Sequence, residues 1–298
     1  MKFTLRNLLA YLLAKYYLLT KAVVHANNHA FNGRYILSIY FHNPSKPLFI
    51  KCIQWLQQNN FQFLSVNDLK KISKENTQLP KGAVVITVDD GWQNNKNNIV
   101  AVAQQLNIPV ALFVTTQPIE TGEPFWWSIV KYAQKNKLYN GTVEALKKIS
   151  NTQRVQIIQS LKNKISTLQR DALTINELNE IKKYTCVTIG SHTVSHPILT
   201  NCTNEQAFYE IAVSKNTLEQ WLHQTIDSFA YPNGNVSERE INYLQQNNYQ
   251  IAFSTQPTYL TKNALRNIFL LPRFEVLENV SFAENICRMS GVWYKRKQ

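Results

Sequence analysis

Residues 83–91 read Ala83-Val84-Val85-Ile86-Thr87-Val88-Asp89-Asp90-Gly91. A short, uninterrupted run of apolar and β-branched residues fits a strand buried on both faces, as at the centre of a parallel sheet. The acidic pair after the run is more informative still. Two adjacent carboxylates at the end of a buried strand cost desolvation and mutual repulsion unless a cation or a shared proton offsets them. A metal is the economical explanation, and a plain Asp-Asp-Gly turn with an Asx cap is the alternative. Neighbouring side chains diverge, so one carboxylate can coordinate while the other faces a substrate.

Similar runs recur on both sides. Strands are expected at Tyr35–Phe41, Phe61–Leu64, Ala83–Val88, Val110–Val114, Val187–Ile189, Ser228–Ala230, Ile251–Phe253 and Phe269–Leu271. Helical spacing fills Leu48–Asn60, Asn94–Leu106, Asn204–His223 and Ser237–Asn247, with Asn204 and Ser237 suited to cap their helices. Strand and helix in alternation predict an α/β fold. The number of runs in 298 residues points to a distorted parallel (β/α) barrel of seven or eight strands. Phe125–Lys183 breaks the pattern: it has no strand-like run and shows helical spacing at Val155, Ile158, Leu161 and Ile165. It reads as a helical insertion between two barrel strands, within about residues 117–183. Residues 1–31 form an N-terminal amphipathic helix, and 32–298 form the barrel.

The composition agrees with a packed core. With 44% hydrophobic and 17% charged residues, disordered, collagen-like and coiled-coil chains are excluded. Four cysteines without a CxxC pair offer no zinc ribbon, and they lean towards a reducing, cytoplasmic compartment. The net charge of +13 is uneven. Nine basic residues and one acid, Glu144, lie between Ile129 and Arg170. Such a surplus attracts polyanions or an anionic bilayer face, or forms a solvated surface.

The stretch before Ala26 has three readings. Its longest apolar run, Leu8–Ala14, is far short of the roughly 20 residues needed to span a bilayer. Lys2 and Arg6 ahead of it, with Val24-His25-Ala26 behind, resemble a signal peptide and leave an exported form open, although Lys15 interrupts the pattern. Leucine and tyrosine on one side and lysine on the other fit an interfacial helix on the inner membrane face. An ordinary helix packed on the domain is the third reading.

Two further places sit at strand ends, where parallel barrels carry their active sites. Gly190-Ser191-His192-Thr193-Val194-Ser195-His196-Pro197 holds two of the six histidines four residues apart. With Asp90 they supply a two-histidine, one-carboxylate set that leaves coordination positions open. Ser228-Phe229-Ala230-Tyr231-Pro232-Asn233-Gly234 is a strand entering a turn, whose Tyr231 N–H is expected to face a developing oxyanion.

Together these segments resemble the polysaccharide deacetylase family, carbohydrate esterase family four, whose motifs are T-F-D-D-G, H-[S/T]-x-x-H and R-x-P-Y. Here they stand as Thr87-Val88-Asp89-Asp90-Gly91, His192-Thr193-Val194-Ser195-His196 and Ala230-Tyr231-Pro232-Asn233, within a resemblance covering roughly Ser38 to Val276. It implies a distorted barrel and metal-dependent removal of an acyl group from a sugar. By position, Asp89 is the base, and Asp90, His192 and His196 bind a divalent metal, zinc first and cobalt second.

Three departures stand out. Val88 replaces an aromatic residue, and the arginine of the third motif falls on Ala230. Arg273, in Leu271-Pro272-Arg273-Phe274, is the candidate to replace that arginine from another direction. The family's late general-acid histidine has no match, since no histidine follows His223. His42, at the end of the first barrel strand, is the candidate acid, and a loop hydrogen bond is its plainer role. Trp127 is a candidate sugar platform beside Trp126, and packing is the alternative for both.

The expected reaction is hydrolysis of an N-acetyl group from an amino sugar, in a cell-envelope polysaccharide or a lipid-linked glycan. The charge suggests an anionic substrate or an anionic membrane surface. A non-catalytic glycan-binding module is the rival reading. A metal phosphohydrolase or nuclease using the same carboxylates is a third reading, favoured by the basic stretch. Such sites assemble more carboxylates around two metals, and five aspartates provide no second cluster, which also disfavours nucleic acid.

Overall fold

The computed structural model describes residues 4–165 and 169–297, so Lys2 lies outside the described residues. Among the described residues, nine strands form one sheet: β1 (Tyr35–Phe41), β2 (Gln62–Leu64), β3 (Ala83–Val88), β4 (Val110–Val114), β5 (Val187–Ser191), β6 (Ser228–Ala230), β7 (Ile251–Phe253), β8 (Leu260–Thr261) and β9 (Phe274–Glu275). The order runs β7-β6-β5-β4-β3-β1-β8, with β2 beside β3 and β9 beside β1. Every pairing is parallel except β1 with β8.

Fourteen α-helices among the described residues accompany the sheet. They are α1 (Leu5–Leu19), α2 (Ala22–Phe31), α3 (Lys46–Gln58), α4 (Val66–Glu75), α5 (Ala101–Leu106), α6 (Thr116–Thr121), α7 (Trp126–Lys135) and α8 (Val143–Leu146), then α9 (Asn151–Lys162), α10 (Ile175–Ile181), α11 (Asn204–Leu222), α12 (Glu238–Gln246), α13 (Lys262–Arg266) and α14 (Phe282–Met289). The expected α/β barrel and its helical insertion, here α6–α10, are therefore present. The single expected N-terminal helix is two, broken where Lys21 adopts a left-handed φ of 58°.

The closing strand is displaced from its expected position. Phe269–Leu271 is not a strand: only Leu271 bridges β7, at Phe253, while Phe274–Glu275 pairs with Ile39–Tyr40 of β1. Pro272 has no N–H to donate, so the ladder breaks there and passes from one neighbour to the other. That hand-over closes the ring. The cap of α11 also shifts by one residue, since Thr203 rather than Asn204 forms a capping box with Gln206, whereas Ser237 caps α12 with Glu240 as expected.

Strand alternation sorts the side chains. Leu37, Ile39, Phe41, Val84, Ile86 and Val88 pack with Phe49, Ile53 and Leu56 of α3. The opposite face gathers Ile36, Val85, Ala111, Phe113, Ile251 and Phe253. Val85, Thr87 and Asp89 share that second face by the period of two, so the strand itself carries Asp89 to its C-terminal rim. The insertion has a small core of its own around Trp126, Ile129, Val130, Ile158 and Leu161.

Candidate metal centre and active-site cleft

Asp89 is buried and held on both oxygens. Arg273 donates from Nη1 to Oδ1 at 2.7 Å and from Nη2 to Oδ2 at 2.8 Å. The guanidinium is itself fully buried, donates also to Thr87 Oγ1 and the Ser254 carbonyl, and lies over the ring of Tyr40 at 4.5 Å. A planar donor fork meeting a carboxylate in this way fixes position and plane together. The structure thus brings Arg273, a candidate from the sequence, onto the Asp89 carboxylate.

Asp90 is turned elsewhere by a backbone φ of 77°, followed by Gly91 at 83°. A Cβ on Gly91 would come within 2.9 Å of Val114 Cγ1, so the turn demands glycine. Trp92 Nε1 donates to Asp90 Oδ2 at 2.8 Å, leaving Oδ1 directed at His192 Nε2 and His196 Nε2, 3.5 and 3.4 Å away. These separations are too long for good hydrogen bonds. Asp90 Oδ1 is buried with no hydrogen-bond partner, and one donor atom from each of the three residues lies within 4.8 Å of the others. An orphaned buried carboxylate oxygen facing two imidazole nitrogens is the arrangement a small divalent cation would satisfy.

The surroundings support the same assignment. His192 Nδ1 donates to the Ala230 carbonyl at 2.6 Å, which fixes the tautomer and leaves Nε2 as an acceptor towards the centre. Burial pushes the His196 pKa down to about 4, with the neighbouring His192 and Arg154 adding to the effect against Asp90. The ring is neutral at neutral pH, the form that ligates metal. Burial works to raise the Asp90 pKa, but the facing His192 and His196 and the nearby His42 outweigh it, so the carboxyl lies well below its usual range.

Sequence reasoning missed the contacts that brace this loop. Glu210 of α11, buried, accepts from the N–H groups of Val194 and Ser195 at 2.8 Å each and from Ser195 Oγ at 2.5 Å. Arg154 of α9 and Trp126 of α7 both donate to the His196 carbonyl at 3.0 Å, with the guanidinium 4.8 Å from the Trp126 ring. The insertion therefore holds a candidate ligand in place. Its returning segment also bonds to the Asp-Asp-Gly loop, through Leu173 N to Gly91 O and Gln93 N to Asp171 O.

Above the three candidate ligands opens a cleft of about 520 Å³, lined among others by His42, Trp127, Lys131, Glu144, Lys147, Asn233 and Glu275. His42 is half-exposed, with Nδ1 3.6 Å from Glu275 Oε1. Trp127 stacks on Phe125 and meets the His196 ring edge-on at 4.5 Å. Lys131 lies one helical turn beyond Trp127, on the same side of α7.

Tyr231 does not fit its expected part. Its N–H donates to the Phe253 carbonyl at 3.0 Å, in the β6–β7 ladder, and its side chain is fully buried. Main-chain pairing takes the donor that an oxyanion would need. The residue of that turn that does line the cleft is Asn233, at a φ of 58°.

Fold and site together define a class: a parallel (β/α) barrel with a two-histidine, one-carboxylate centre at the C-terminal rim of its strands. Within that class the chain belongs to the polysaccharide deacetylase family, whose model matches residues 76–252. It is 19% identical over 229 residues to YxkH of Bacillus subtilis (strain 168), a protein assigned to the polysaccharide deacetylases, covering 77% of this chain and 64% of that one. The chain thus spans less than two thirds of that relative's length. Among solved structures, the Streptococcus pyogenes deacetylase PplD in complex with acetate aligns with a TM-score of 0.62 at 19% identity, over 86% of this chain and 98% of its own. A de-N-acetylase from Aggregatibacter actinomycetemcomitans aligns at 0.60 and 14% identity, over 85% and 98%. These likenesses show the fold.

Proposed function

We propose that the protein removes N-acetyl groups from an amino sugar in a cell-envelope polysaccharide or a lipid-linked glycan, using a zinc ion held by Asp90, His192 and His196. The observation that carries this reading is the orphaned Asp90 Oδ1 between two imidazoles, one residue from a carboxylate clamped by a buried arginine. A divalent cation held by these three residues would supply Lewis acidity. Cobalt suits the same donors.

The chain's own residues divide the remaining work. Asp89, oriented by Arg273, takes the proton of the attacking water as its oxygen bonds to the acetyl carbon. His42, facing Glu275, protonates the sugar nitrogen as the carbon–nitrogen bond breaks, so the products are a free amine and acetate. Asn233 replaces Tyr231 as the turn residue facing the substrate. Trp127 offers an apolar wall to a sugar ring, and Lys131 at the rim supplies a positive charge for an anionic group on the glycan, whereas Lys147 there is paired with Glu144. The naming of the Aggregatibacter relative as a de-N-acetylase supports amide rather than ester cleavage.

The test is acetate release from N-acetylated oligosaccharides, read alongside metal content. Asp89→Asn is expected to lower kcat by about 10²-fold or more with zinc still bound, the range for a lost general base. Chelation should abolish turnover and zinc restore it. Full activity of the chelated protein would refute the reading, and sugar binding without acetate release would favour a glycan-binding module.

A further inference from the structure

Helix α1 is inside out. Its buried face consists of Asn7, Ala10 and Ala14, while Leu5, Leu8, Leu9, Leu12, Tyr16 and Leu19 are exposed, at 48–81% each. At 100° per residue the six fall within an arc of about 100°, one continuous apolar stripe. The helix is not loosely attached. Arg6 pairs with Glu284 of α14 at 2.8 Å, and Ala14 packs with Cys287 and Val292. Contacts with the body of the protein thus hold the leucines outward.

The charge around the stripe indicates what covers it. No acid occurs before Asp68, whereas Lys2, Arg6, Lys15, Lys21, Arg34, Lys46 and Lys51 precede it. Lys15 flanks the stripe on α1 and Lys21 lies beyond its end, both exposed. A symmetric contact between two copies along this face would bring like charges together with no acid of the segment to offset them. A bilayer carrying anionic headgroups offers hydrocarbon to the leucines and negative charge to the lysines at once. No helix of the described residues is long and apolar enough to cross a membrane. We infer that α1 is an in-plane docking face for anionic lipid, seating the protein on a membrane surface. The Asn7 side chain donates to the carbonyl of Asn279, in the loop that also carries Glu278, and Glu278 accepts from Ser45 N in the loop after His42. One end of the docking helix is therefore tied to loops that follow cleft residues.

Flotation of the full chain with vesicles tests this. Binding is expected to phosphatidylglycerol-containing vesicles and to be much weaker with phosphatidylcholine alone. Leu9→Glu combined with Leu12→Glu should reduce binding at least tenfold with an unchanged melting temperature, because both side chains are exposed. Lys15→Glu should weaken it about fivefold or more. Acetate release from a soluble oligosaccharide should be unaffected by either, so failure here is separate from failure of the catalytic reading. Absence of binding, equal binding to both vesicle types, or unchanged binding by the leucine variant would overturn the inference. So would a dimer in sedimentation that the leucine variant dissociates, since the stripe would then serve a second copy.

Discussion

Arg273 and Asp89 show what one buried pair contributes. Both are out of solvent and bonded to each other twice, so removing one strands the other's charge. Arg273→Leu is therefore expected to cost about 3–5 kcal/mol in denaturant unfolding, whereas Arg273→Leu with Asp89→Leu should recover most of that stability without any activity. A single variant as stable as the parent would mean the pair is not formed. His196 makes a second demand on the same rim. Its pKa is near 4 when folded and ordinary when unfolded, so between pH 4 and 6.5 the unfolded chain binds the extra proton. Stability of the metal-free protein should rise with pH across that window and flatten above it. His196→Gln should remove this rise, as followed by melting temperature against pH.

At the scale of elements, the insertion is more than a basic surface. The sequence shows nine positive charges between Ile129 and Arg170, but not that Arg154 is buried under the His196 carbonyl or that Arg170 donates to the carbonyls of Ile119 and Leu173. Lys147 and Lys162 are paired with Glu144 and Glu123. Arg154→Met keeps the length and apolar contact but removes the donor, so zinc affinity should fall about tenfold in a competition titration with little change in fold. Unchanged affinity would leave Arg154 with packing alone. The Asp-Asp-Gly and His-x-x-x-His segments were legible because each lies next to its strand in sequence, and their chemistry is local. Arg273 was legible only as a candidate, and Glu210, Trp92 and Glu275 not at all, because their roles come from contacts across the ring. Tyr231 was misread for a related reason: whether a strand-end N–H is free depends on its neighbour, here Phe253, and no turn signal in one segment reports that.

The whole molecule is a ring whose rim assembles one centre from separate strands. Asp89 and Asp90 follow β3, His192 and His196 follow β5, the carbonyl that orients His192 belongs to β6, and Arg273 sits where Leu271–Glu275 passes from β7 to β1. The three candidate ligands come together only when β3, β4 and β5 are in register, as in the pairing of Val88 with Leu112 and of Val114 with Ser191. An unfolded chain cannot hold them together, so a cation that binds the folded site stabilises the entire barrel by mass action. At a free zinc concentration about 100 times the dissociation constant the gain is about 2.7 kcal/mol, which for a chain of this size raises Tm by about 5 °C or more. The rise should grow with the logarithm of zinc concentration and vanish in His192→Ala combined with His196→Ala. Binding at surface histidines would instead leave the shift intact in that double variant. Because Arg273 contacts none of the three candidate ligands, Arg273→Leu should keep most of the zinc-dependent shift from its lower starting Tm, separating the candidate metal centre from the Asp89 carboxylate that stands beside it.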